Sequence, residues 1–178
     1  MKTANNIEEL AILLRTGETQ IKIGFGNCHL LYHILLKHHK VDLCEYDISN
    51  WDVSNVTTMF SMFEDAINFN QDISKWNVSS VTNMRFMFED AYNFDQDLSN
   101  WDVSNVTDMA YMFCYAINFN QDLSSWDVSN VTDMRLMFNG AKRFNQDISK
   151  WNVKNVYDMS YMFRHCPIEE GFKPKGTN

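Results

Sequence analysis

The chain has no clustered run of lysine or arginine: 15 basic residues are scattered among 23 acidic ones, for a formal net charge of -8. Nucleic acid and anionic membrane surfaces both reward a concentrated basic face, so neither is an expected partner. It also lacks any apolar run near the roughly 20 residues that a membrane-spanning helix needs, so no membrane insertion is expected. The opening stretch, MKTANNIEELAILLRTGETQ, has no long apolar core of the secretory type, which leads to the expectation of a chain without a leader and of an intracellular location. Four cysteines, Cys28, Cys44, Cys114 and Cys166, form no Cys-x-x-Cys pair and recur at no fixed spacing. They point to free thiols in a reducing compartment rather than to a zinc knuckle or a disulfide framework. There is no phosphate-cradling glycine loop and no Ser-His-Asp arrangement. Every prominent carboxylate recurs too regularly to be a unique catalytic group, so no enzymatic activity and no cofactor are expected.

What the chain does have is repetition. The stretch WDVSNVTTMFSMFEDAINFNQDISK begins at Trp51 and restarts at Trp76, Trp101, Trp126 and Trp151, a period of 25 residues. With 45% apolar and 14% aromatic residues the chain can bury a core. A fixed period in this range marks a repeat array whose units bury their apolar faces only against one another.

Within a copy, the first half spaces Ile48, Trp51 and Val53 as apolar-x-x-apolar-x-apolar. Trp and Val two apart predict a short strand, with Asp52, Asn77, Asp102, Asp127 and Asn152 on its opposite, solvent face. That polar column is a candidate binding surface. The second half, Val56, Met59, Met62, Phe63 and Ala66, predicts a helix with one buried stripe. Ten of the eleven methionines fall in its two columns, where packing explains them better than a metal or cofactor box. Opposite that stripe lie Ser61, Phe86, Tyr111, Leu136 and Tyr161, four of them apolar or aromatic on a predicted outer face. Such a row suggests contact with another chain and is the second candidate site.

Asp47, Asp72, Asp97, Asp122 and Asp147 form a further column. Either each carboxylate accepts backbone N–H bonds in its own turn, or the column is a ladder of hard oxygen ligands for calcium. His29 and His33, four apart on a predicted helix, could in principle share a metal, but no His-Glu-x-x-His pattern accompanies them and no metal is expected.

The repeating unit Trp-Asp/Asn-Val-Ser-Asn-Val-Thr-x-Met-x-x-Met-Phe-x-x-Ala-x-x-Phe-Asn-Gln-Asp-Ile/Leu-Ser closely resembles the 25-residue repeats of the BspA-like leucine-rich-repeat family, found in mycoplasma-type surface lipoproteins. The resemblance covers about Asp47 to Cys166. It implies an α/β repeat solenoid: a right-handed leucine-rich-repeat-like array of about five strand-helix units with a parallel sheet. It also implies a role in adhesion or protein interaction. Two departures stand out. Val56, Val81, Val106, Val131 and Val156 occupy the usual place of the family's asparagine, and the family's leader or lipid-attachment cysteine is missing.

Residues 1–46 do not fit the repeat and are expected to form an N-terminal α/β cap of helix, strand and helix. Asn6 and Glu9 give an N-cap for a helix ended by Gly17. Gln20 to Phe25 alternates as a strand, and Asn27 caps a second helix through about His39. The array then occupies 47–166, and 167–178 is a tail after Pro167. The expected function is a non-enzymatic protein-binding or adhesion module with a protein partner. The alternative is a structural protein that self-associates as a homo-oligomer, through an uncapped C-terminal edge or the outer aromatic row.

Overall fold

The computed structural model describes residues 1–176, so the last two residues of the expected C-terminal tail, Thr177 and Asn178, lie outside the described residues. Two regions of different character meet in it: an N-terminal unit with regular elements, and a stack of 25-residue copies built almost wholly from turns.

The N-terminal unit begins with strand β1 (Lys2–Ala4), which pairs in parallel with β2 (Ile21–Ile23) in the register Lys2 to Ile21 and Ala4 to Ile23. Helix α1 (Ile7–Arg15) connects them. It starts where the Asn6 side chain accepts the Glu9 N–H at 2.9 Å, buries Leu10, Ala11 and Leu14, and stops at Thr16 before Gly17 at a φ of +82°. This is the N-cap and glycine stop that the sequence encodes. The far side of β2 pairs with the first repeat, Ile23 N–H donating to the Asp52 carbonyl and Asp52 N–H to that of Ile21, both at 2.8 Å.

Helix α2 spans Leu31–His39, three residues later than a cap at Asn27 would place its start. The reason is that residues 28–32 do another job: the amides of Cys28, Leu30 and Tyr32 donate to the carbonyls of Thr58, Phe60 and Met62 at 3.0 to 3.2 Å. Leu30 has a φ of +52°, the same value as Ser61 in the first repeat. The N-terminal unit thus imitates a repeat where it meets the array.

Each copy from Trp51 onward is joined to the next by the same hydrogen bonds. Met59, Ser61, Phe63 and Asp65 donate their amides to the carbonyls of Asn83, Arg85, Met87 and Glu89, all at 2.9 Å. Equivalent bonds of 2.8 to 3.1 Å link every following pair of copies, ending with Met134, Leu136, Phe138 and Gly140 on Asp158, Ser160, Met162 and Arg164. Parallel bridges run through Thr58, Asn83, Asp108, Asp133 and Asp158. The intervening amides close tight turns, Met62 N–H on the Met59 carbonyl and Ala66 N–H on that of Phe63.

Two sequence expectations fail here. The helix over Val56 to Ala66 is not formed, because Ser61 and Asp65 take left-handed φ values of +52° and +58°, as do their counterparts down the stack. A left-handed residue other than glycine costs about 1 kcal/mol, and in the first four copies the hydrogen bond each such corner makes to the next copy offsets it. The strand at Trp51–Val53 also shrinks to a single bridge, Lys22 to Asp52, with no bridge at Asn77, Asp102, Asp127 or Asn152. There the aspartate or asparagine folds its side chain back on the chain, as when Ser54 and Ser79 donate their amides to Asp52 and Asn77 Oδ1 at 3.0 and 3.1 Å.

The core is a set of columns. Phe63, Phe88, Phe113, Phe138 and Phe163 stack at centroid separations of 5.6 to 5.8 Å. Phe69, Phe94, Phe119 and Phe144 form a second column, spaced 5.8 to 6.1 Å, each stacked 4.0 to 4.1 Å from its partner in the first. A fully buried Phe contributes about 2–3 kcal/mol by leaving water. Both methionine columns are buried as far as Met137, and Met162 is buried in the last copy while Met159 is only partly so. The indole Nε1 of Trp76, Trp101, Trp126 and Trp151 donates to a carbonyl of the preceding copy, at Ile48, Ile73, Leu98 and Leu123, at 2.9 to 3.1 Å. Trp51 has no such partner among the described residues.

A ladder of side-chain oxygens and backbone amides runs down the stack through positions 70, 95, 120 and 145. The side-chain oxygen of Asn70 accepts the Asp95 amide, Asp95 that of Asn120, and Asn120 that of Asn145, each at 2.9 Å. Glu169 completes it on Asn145, and the Phe172 carbonyl accepts the Ile148 amide at 3.0 Å. The tail therefore folds over one side of the last copy.

Candidate functional site

Several columns that differ between copies lie on the turn side of the stack. At the left-handed corner the copies read Ser61, Phe86, Tyr111, Leu136 and Tyr161, the row expected on the outer face of a helix. They sit on corners instead, and their exposure is graded. Ser61 is buried, at 1%, Phe86, Tyr111 and Leu136 are half-buried, and Tyr161 is 63% exposed. Phe86 and Tyr111 lie with centroids 4.6 Å apart.

The row also continues onto residues that no periodicity marks. Phe60, one residue before the buried Ser61, packs edge-on to Phe86 at 5.4 Å, and the His29 ring stacks on Phe60 at 4.6 Å. The Arg85 guanidinium lies over both Phe86 and Tyr111, 4.6 and 5.6 Å from their centroids. Among the described residues it has no carboxylate within ion-pair distance. Its counterpart Arg135 is engaged, reaching Asp133 at 3.2 Å and Asp158 at 3.8 Å. The signal that could have found Phe60 and Arg85 is variability: Phe60, Arg85, Ala110, Arg135 and Ser160 differ at one position while the neighbouring methionines never do.

The second candidate surface, Asp52, Asn77, Asp102, Asp127 and Asn152, remains on the outside, with Asp52 half-buried and the rest exposed. Its chemistry is partly committed. Hydrogen bonds from the serine two residues on hold the carboxyls of Asp52, Asp102 and Asp127 below the usual carboxylate range. The Asp47 column behaves alike. Ser49, Ser74, Ser99, Ser124 and Ser149 each donate an amide to the aspartate two residues before, at 2.8 to 3.0 Å.

An acidic corner lies at the start of the stack, where Glu64, Asp65, Glu89 and Asp90 occupy adjacent copies. Burial, then the charges of Glu64, Asp90 and Asp65, pushes the Glu89 carboxyl up to about 7, and burial raises Asp90 as well. His33 approaches this corner, 3.6 Å from Asp65 Oδ2, while His29 faces Phe60, so the two histidines of the predicted metal pair point to different neighbours. Among the described residues no three His, Cys, Asp or Glu side chains are placed to hold a metal ion together. The four cysteines are free, and burial pushes the thiols of Cys28, Cys44 and Cys114 up to about 12. None is a ready nucleophile at neutral pH. Among the described residues no helix is long and apolar enough to cross a membrane.

Identical side chains stacked copy on copy define a repeat protein. Its residues 37–116 and again 93–170 match one family model, described as "Mycoplasma protein of unknown function, DUF285", and the chain belongs to that family. No curated protein and no solved structure matches it.

Proposed function

We propose that this chain is a non-enzymatic protein-binding module, its copies forming a right-handed, leucine-rich-repeat-like solenoid of the BspA-like kind, with a role in adhesion or protein interaction. One observation carries the reading: a continuous run of rings, exposed His29 and half-buried Phe60, Phe86 and Tyr111, with the Arg85 guanidinium laid across two of them. Aromatic residues and arginine dominate the energetics of protein interfaces, because rings bury large area with little lost rotamer freedom and a stacked guanidinium is already oriented for a carboxylate. The run also lies where the copies vary, whereas the columns that repeat are consumed by packing.

The test is affinity capture with the wild type against Phe86→Ala/Tyr111→Ala, both checked for equal melting temperature. Loss of specific partners from the variant is the expected result. Identical partner sets would discard this row and shift the binding surface to the Asp52 column.

A further inference from the structure

From the residue after each parallel bridge onward, the alternating amides that join one copy to the next all point the same way. At each alternating position the amide points toward the next copy, and the carbonyl one residue earlier points back toward the previous one. The series opens with Cys28, Leu30 and Tyr32 donating to the first copy and closes with the carbonyls of Asp158, Ser160, Met162 and Arg164 accepting from the fourth. In the last copy the amides of Met159, Tyr161, Phe163 and His165 therefore meet no acceptor among the described residues. The carbonyls of Met159, Tyr161 and Phe163 are turned inward, to the amides of Met162, Arg164 and Cys166. The tail covers the Asn145 to Ile148 side through Glu169 and Phe172. The stack ends in a comb of donors two residues apart.

That polarity restricts what can sit there. Two such combs cannot pair with each other, since donors would face donors. A second copy cannot complete the comb head to tail either. The carbonyls of its first repeat are taken by the N-terminal unit, and the equivalent stretch of that unit passes into α2 at Leu31. The occupant must bring its own row of carbonyls, which an extended polypeptide segment does.

Charge narrows it further. From 44 to 133 acidic residues outnumber Lys and Arg fifteen to two, whereas from 142 to 176 Lys and Arg outnumber Asp and Glu seven to four. Beside the comb is an open hollow lined by Ser160, Tyr161, Met162, Phe163, Arg164 and Lys173. Arg164 lies 5.5 Å from the Tyr161 ring and Lys173 Nζ lies 5.8 Å from that of Phe163. We infer that the Met159–His165 edge docks an extended, acidic segment of a partner polypeptide, which adds its alternate carbonyls to the four free amides. Tyr161 and the 77% exposed Tyr157 supply apolar area beside the hydrogen bonds.

The probe is a synthetic peptide of residues 57–72, TTMFSMFEDAINFNQD, which is acidic and whose carbonyls at Thr58, Phe60 and Met62 hold this register within the stack. Amide hydrogen exchange on the full chain reads the outcome. The four amides are expected to exchange rapidly in the free protein and to slow at least about tenfold with excess peptide, but not with a scrambled peptide of the same composition. Arg164→Glu/Lys173→Glu, which leaves the amides in place, is expected to weaken peptide binding at least about fivefold. Three results would overturn the inference: slow exchange in the dilute free chain, no protection by the peptide, or equal protection by the scramble. Protection that appears without peptide as the protein is concentrated would overturn it too, making a second copy the occupant. The Phe86→Ala/Tyr111→Ala test of the aromatic row involves neither this edge nor its charges.

Discussion

The ring of Tyr115 lies so close to the backbone of Gly140 that a Cβ built on the glycine would stand 2.4 Å from the ring's Cδ1. Gly140 is the only glycine at that corner of the stack, where the other copies carry Asp65, Asp90, Tyr115 and His165, and its φ is +71°. Gly140→Ala should lower stability by about 1 kcal/mol, from left-handed strain and a displaced ring. In a Tyr115→Ala background the same change should cost less, since only the strain remains. Chemical denaturation of the four proteins measures the difference, and equal costs in both backgrounds would refute the contact.

Glu89 sets a pH dependence. Its carboxyl is raised from 4.5 to about 7 in the fold, so the folded state holds a proton that the unfolded chain has released. The contribution is stabilising and full below about 4.5, and it is lost as pH rises through about 7. The melting temperature should therefore fall between pH 5 and 8, as Glu64, Asp65 and Asp90 come to face an ionised Glu89. Glu89→Gln should flatten that segment of the profile. A variant profile parallel to the wild type would show that another group carries it.

The tryptophan column contains its own control. Trp101 donates its indole N–H to the Ile73 carbonyl at 3.1 Å, while the Trp51 indole N–H is buried without a partner among the described residues. Both replacements by Phe lose similar volume, but only Trp101→Phe loses a hydrogen bond. Trp101→Phe should be the more destabilising by about 1–2 kcal/mol in urea unfolding. A larger loss at Trp51 would contradict the bonding pattern.

The aspartates of the Asp47 column each already accept an amide from the serine two residues on. Thermal melting should accordingly be the same with millimolar calcium and with chelator. A rise of several degrees with calcium would restore the ligand ladder.

The sequence disclosed which side chains pack far better than how the chain turns. Trp76, Met84, Phe88 and Ala91 could be assigned to the core because stacking like on like requires only a constant spacing. Helix α1 was equally legible, since Asn6, Glu9, Leu10 and Leu14 act within one short segment. The turn side was not. Spacings of 3, 3, 1 and 3 from Val56 to Ala66 suit a helix, but they also suit consecutive tight turns, and what selects the turns is the next copy's carbonyls. Nothing local to Phe86 announces a left-handed corner. For the same reason the aromatic row, which stands out in the sequence as apolar residues on the outer face of a predicted helix, sits on left-handed corners, with Ser61 buried and Phe60 beside it. Strand β1 is three residues long, too short for any alternation to register.

The unvarying bonding between copies also governs how this protein can change length. Because each copy offers its neighbour the same donors and receives the same acceptors, removing one whole unit, such as residues 77–101, would bring Met59 to Asp65 against Asp108 to Cys114 with every partner intact. A deletion of 24 or 26 residues would put all of those columns out of step. The molecule is in this sense editable in whole units only, and each such edit would bring a new pair of surface residues side by side, here Phe60 beside Tyr111, while leaving the core composition of every remaining layer as it was.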